Sequence, residues 1–229
     1  MTKLMRTFLG TAALLLATML LPAAQAAVIT FDDPSLVNLY FPGDSFTDSG
    51  FVMTVDFDFG TVDVASALGA LAPSGDSTQF YFNSNDGGLI VQQQYGHLFN
   101  LTGFSAAFVP LSPPSSLQTA IVALGFDSSN NEQAVAWLFA PLSNGAYPFA
   151  IYDDPLDFAP FQNMQFVEFF ACSVVGGQVC TVNTHDAGQF AIDDIRVTDL
   201  PEPATLALVM LALFALGLSR QRKTRNPQL

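Results

Sequence analysis

The chain has 229 residues, 20 acidic against 7 basic side chains, a formal charge of −13 and 12% aromatic content. Between residues 27 and 200 there are nineteen Asp and Glu, a single Arg and no Lys, so that body carries −18. Such a body repels nucleic acid and anionic lipid headgroups, while its phenylalanines separate it from a disordered acidic tail.

The first element is a leader. Lys3 and Arg6 precede an apolar run from Phe8 to Leu21, Pro22 breaks it, and Ala24-Gln25-Ala26 sets small residues where a signal peptidase reads. Residues 1–26 are therefore expected to be a secretory signal peptide, with cleavage between Ala26 and Ala27. The run is short for an uncleaved span.

The body, residues 27–200, is long enough for one domain with a substantial core. Apolar residues alternate over "FVMTVDFDF", placing Phe51, Met53, Val55, Phe57 and Phe59 on one face. Short runs at 28–31, 36–41, 79–82, 88–94, 104–109, 119–126, 133–140, 164–174, 178–182 and 189–197 read as further strands. Turn chemistry lies between them, as in "NSNDGG", "DSSNN" and "SNG". "VASALGALA" has room for a turn or two of helix. About ten strands at this spacing predict an all-β fold, a single jelly-roll-like β-sandwich.

Cys172 and Cys180, the only cysteines, lie in the exported part, where a disulfide is expected. A three-residue loop, Val175-Gly176-Gly177, would set them directly opposite each other, whereas a two-residue Gly176-Gly177 turn would set Cys172 against Thr181. In "GQFAIDDIRV" the apolar parity flips between Ile192 and Ile195, which predicts a β-bulge at Asp193-Asp194. This stretch, closing a body that begins with Thr30-Phe31-Asp32-Asp33, resembles the last strand of secreted jelly-roll modules.

Catalytic constellations are scarce. His97 and His185 have no second histidine nearby, so zinc-ligand spacing is missing. Gly43-Asp44-Ser45 and Gly75-Asp76-Ser77 lack the downstream Asp-x-x-His a lipase-like serine needs, and no G-x-S-x-G elbow or phosphate loop occurs. The protein is expected not to be an enzyme, a secreted hydrolase ranking third among its readings. Calcium is the better chemical candidate, because extracellular modules bind it through carboxylates. If the first and last strands are neighbours, Asp32, Asp33, Asp193 and Asp194 would form its site. Trp137, flanked by apolar residues, reads as core, and Tyr147 reads as an exposed ring for sugar stacking.

The chain ends in residues 201–229: Pro201-Glu202-Pro203, then Ala204 to Leu218 without a charge, then Arg220, Arg222, Lys223 and Arg225. As a helix, 204–218 reaches about 22 Å at 1.5 Å per residue, short of the roughly 30 Å hydrocarbon core. It is expected to hold the membrane temporarily, with the basic residues in the cytoplasm and residues 27–200 outside. This order of parts resembles the PEP-CTERM sorting signal of Gram-negative bacteria. The resemblance implies recognition and tail removal by an exosortase, a producer of exopolysaccharide, and a destination at the cell surface or extracellular matrix. Its implied role is a non-enzymatic structural or interaction protein of the exopolysaccharide layer. The alternative is a carbohydrate-binding module, with calcium as a candidate cofactor and polysaccharide as a candidate partner.

Overall fold

The computed structural model describes residues 25–110, 118–175, 178–179 and 188–200, and residues 26–199 form one compact unit. The signal peptide core, the apolar segment 204–218, the Pro201-Glu202-Pro203 motif, Cys180 and His185 lie outside the described residues.

Among the described residues, fourteen strands form one hydrogen-bonded sheet. In chain order they are β1 (Gln25–Ile29), β2 (Asn38–Tyr40), β3 (Ser45–Asp48), β4 (Phe51–Asp56), β5 (Gly60–Val64), β6 (Gln79–Asn83) and β7 (Gly88–Gln93). The second half runs β8 (Phe99–Phe108), β9 (Gln118–Asp127), β10 (Glu132–Leu138), β11 (Ala150–Tyr152), β12 (Met164–Val175), β13 (Gln178–Val179) and β14 (Phe190–Asp199). Two four-residue helices, α1 (Ala65–Leu68) and α2 (Pro155–Phe158), sit in connections.

The sheet order β2-β5-β6-β14-β8-β12-β7-β4-β3 divides at one place. β8 meets β12 only through Phe99 and Met164, while β8 pairs with β14 and β12 pairs with β9 over most of their lengths. The chain thus folds into two layers, a β-sandwich, with β1 added to β14 and β10 added to β9. Inward-facing Phe51, Met53, Val91, Val167 and Phe169 from one layer pack with Val62, Tyr81, Phe104, Phe190 and Ile192 from the other in one buried cluster. Burying a side chain of this size stabilises by about 1.5–3 kcal/mol each.

β4 ends earlier than its sequence pattern. Phe51, Met53 and Val55 are buried as the alternation requires, but Phe57 is 66% exposed and Phe59 38%. Phe57 adopts φ 53°, and the Asp58 carboxylate accepts from the Phe59 backbone N–H at 2.8 Å. The strand stops there because the chain must cross from β4, which pairs β3 and β7, to β5, which pairs β2 and β6. Tyr147 is also corrected: it is only 9% exposed and packs edge-on against Phe108 with ring centroids 5.0 Å apart. Trp137 is core as expected, its indole N–H donating to Asp157 at 2.9 Å.

At the β12–β13 hairpin, Val174 pairs with Val179 and Val175 with Gln178. That is the register of a two-residue connection, which corrects the expected three-residue loop; Cys180, and with it the expected pairing to Cys172, lies outside the described residues. No cysteine among the described residues is free.

Candidate functional site

β14 carries the first carboxylate cluster. Asp193 pairs with Ser105 of β8, but the next pairing is Arg196 with Gly103, so three steps on β14 match two on β8. That extra residue is the expected bulge. Asp194 sits in the left-handed region at φ 48°, a conformation Asp tolerates better than most side chains. The bulge returns Ile195 and Val197 to the core side with Phe190 and Ile192.

Asp193 consequently shares a face with Ala191, which belongs to a small second cluster with Phe80 and Val109. α1 and the turn after it cover that cluster through Ala65, Leu68 and Leu71. Asp193 is 3% exposed, and its Oδ1 has no hydrogen-bond partner. Its Oδ2 lies 3.4 Å from the Thr78 hydroxyl, which also donates to Asp76 at 2.6 Å. Burial first, then the neighbouring Asp76 and Asp194 carboxyls, push the Asp193 acid up to about 9, against an opposing backbone hydrogen bond from Asp194.

The first and last strands are neighbours, since β1 pairs β14. The four carboxylates nevertheless do not converge. Asp33 is exposed and spends its Oδ1 on the Ser35 backbone N–H at 2.8 Å, capping the turn Pro34–Leu36. That bond holds its pKa below the usual carboxylate range. Asp32 is exposed beside it. Among the described residues, no group of three or more His, Cys, Asp or Glu is placed to hold a metal ion. The acid that actually joins Asp193 is Asp76, from the second Gly-Asp-Ser.

The other layer carries a second acid pair on its outer face. Strand register puts Phe126 beside Phe166, Leu124 beside Glu168 beside Ile90 beside Thr54, and Val122 beside Phe170 beside Gly88 beside Asp56. The Phe126 and Phe166 rings stack at 4.7 Å and 23°. Neither buried cluster includes Phe126, Phe166, Phe170, Leu124 or Ile90. Glu168 leans over Gly88, where an added Cβ would lie 3.0 Å from its Oε1. It hydrogen-bonds to Asp56, and apolar surroundings first, then Asp56, raise it to about 7. Sequence parity alone could have placed Glu168 outward among Phe166 and Phe170. It could not show that Glu168 packs against Gly88 of the neighbouring strand.

No basic side chain is available to either pair. Arg196, the only one in the body, lies 3.7 Å from Asp153. His97 is half-buried after β7, with its backbone N–H donating to Gln93 at 3.3 Å.

The fold and sites define a β-sandwich with two carboxyl pairs on its outer faces. The comparisons agree with that class. A DUF4465 family protein from Bacteroides caccae is 14% identical with a TM-score of 0.52, over 77% of this chain and 100% of that one. TmCBM61 in complex with beta-1,4-galactotriose superimposes at TM-score 0.32 and 11% identity, over 66% of this chain and 90% of that one. The first likeness shows the fold; the second is too loose to bear on function. No curated protein matches the chain. The particular assignment comes from the tail: residues 199–223 match the PEP-CTERM protein-sorting motif. The chain is an exported protein sorted by an exosortase, with a transiently membrane-anchored C-terminal segment.

Proposed function

We propose that the protein is a non-enzymatic structural or interaction component of the exopolysaccharide layer, delivered to the cell surface or matrix. The observation that carries this reading is the sorting motif beginning at residue 199, where the compact unit ends. In this reading residues 1–26 leave with signal peptidase, residues 201–229 leave with the exosortase, and residues 27–200 function outside. β1 tolerates that first cut, because Gln25 and Ala26 are exposed and Ile29 does its packing. A Cys172–Cys180 disulfide belongs to the same exported state.

The test is intact mass and fractionation of the protein in wild-type cells and in cells lacking the exosortase. Loss of both ends from the surface form, and tail retention in the membrane of the mutant, are expected. A surface form keeping both ends would sink the reading. A carbohydrate-binding module is the second reading, favoured by the stacked phenylalanines and acid pair on the outer face of β12.

A further inference from the structure

The Glu168–Asp56 pair presents a specific chemical demand. Two hydrogen-bonded carboxyls sit on an open sheet face between Phe170 and the stacked Phe126 and Phe166. Among the described residues no Lys or Arg faces them, since Arg196, the one such residue of the body, is beside Asp153. Gly88 lets the Glu168 side chain lie across its strand, since an added Cβ there would lie 3.0 Å from Glu168 Oε1. A ligand that fits must bring positive charge together with a flat apolar surface.

We infer that this face binds a polysaccharide of hexosamine units with free, protonated amines, an inference that rests on the exopolysaccharide reading above. A pyranose ring offers an apolar C–H face that stacks on aromatic side chains, and an amine on the same ring is held by charge-assisted hydrogen bonds to carboxylates. An amine over a phenylalanine face gains further from the ring quadrupole. The charge of −18 on the body raises the encounter rate with such a polycation but does not choose where it docks. The docking place is set by the one outer face where paired carboxyls and stacked rings coincide among the described residues. A basic peptide would satisfy the charge but not the stacking, and neutral glycans the reverse.

The experiment is titration calorimetry of residues 27–200, purified as the processed exported protein, with a glucosamine hexasaccharide bearing free amines. Its N-acetylated counterpart, a neutral galactan oligosaccharide and oligolysine are the comparison probes. The free-amine sugar is expected to bind most tightly, with affinity falling at least tenfold in Glu168→Gln and Asp56→Asn. Asp32→Asn makes the same change in net charge on an exposed site and should leave affinity within twofold. Thermal melts establish that each variant is folded, and Phe166→Leu, which removes the ring but keeps the bulk, should weaken the sugar and not oligolysine. Equal losses in all three charge variants, or oligolysine binding as tightly as the sugar, would mean bulk charge attraction and would overturn the site. Binding of neutral glycans without the amine would overturn the amine requirement while leaving the polysaccharide reading standing. Binding of no glycan would overturn the site, and cell fractionation would decide the sorting reading separately.

Discussion

Asp193 and Asp76 share a hydrogen bond between two carboxyl groups, and only a protonated acid can donate it. Asp193, 3% exposed with an orphaned Oδ1, is the one that keeps the proton, its pKa pushed up to about 9. The folded state therefore holds a proton that the unfolded chain releases near the ordinary value of 3.8. The stabilising contribution is complete below about pH 4, declines as pH rises, and is lost once pH passes the folded value near 9. Glu168, raised to about 7, acts in the same direction but is spent one to two pH units earlier. Melting temperature should fall between pH 5.5 and 8.5. Glu168→Gln should flatten only the part below pH 7, whereas Asp193→Asn should reduce the slope over the whole range. Asp193→Asn should also raise the melting temperature near pH 8 by about 2–8 °C, from roughly 1–2 kcal/mol. A wild-type melting temperature that rises over this range would refute the shared proton.

Calcium is the next case. Asp33 is committed to the Ser35 turn, and no three-acid group exists among the described residues. Equal stabilisation by calcium, magnesium and sodium chloride at matched ionic strength is therefore expected, as screening of an acidic body predicts. A calcium-specific shift above about 3 °C, roughly 1 kcal/mol for a chain this size, that disappears in Asp193→Asn would restore the metal to this bulge.

Much of this was legible in residues whose pattern broke a rule. The parity flip at Asp193-Asp194 located a bulge that the β14–β8 register bears out, because a period of two leaves no other way to bury both Ile192 and Ile195. Phe57 and Phe59 obey the alternation yet are exposed; periodicity cannot see a chain changing layers. β3, β5 and β11 were missed, being only three to five residues long, too short for a period of two to show. Asp76 was read only as part of a Gly-Asp-Ser and joined no expected site, because its partner lies 117 positions later in the chain and only the fold brings them together.

The bulge has its own test. Asp194 holds φ 48° and accepts from the Ser105 hydroxyl at 3.3 Å. Asp194→Gly exchanges a weak hydrogen bond for relief of left-handed strain and should change stability by less than about 1 kcal/mol. Asp194→Val puts a β-branched residue in that region and should cost about 1–2 kcal/mol. Deleting Asp194 should be far worse, turning Ile195 and Val197 out of the core. Chemical denaturation midpoints rank the three, and a deletion as mild as the glycine change would mean the bulge is dispensable.

For Cys172 and Cys180, non-reducing peptide mapping of the exported protein should recover one linked pair. A disulfide closing so short a loop stabilises by about 2–3 kcal/mol in the chain-entropy model, less if strained. Two alkylatable thiols in native exported protein would refute it.

The inner end of β6 offers the sharpest packing test. Tyr81 is fully buried, its hydroxyl has no hydrogen-bond partner, and burial raises its pKa. The hydroxyl fits only because residue 60 is glycine: an added Cβ there would lie 2.1 Å from Tyr81 Oη. Leaving a buried hydroxyl unpaired costs about 1–3 kcal/mol, so Tyr81→Phe should stabilise the protein by about 1 kcal/mol while keeping the ring contacts with Phe31, Phe46 and Phe190. Gly60→Ala alone should destabilise by about 1–3 kcal/mol through overpacking. Combined, the two should recover part of that loss, because removing Oη vacates the nearest atom, although the ring carbons at 2.5 and 2.6 Å still crowd the new methyl. A double-mutant cycle on denaturation midpoints reads the coupling directly. Strict additivity, with no recovery, would show that Gly60 is required for the β5 backbone and not for the tyrosine.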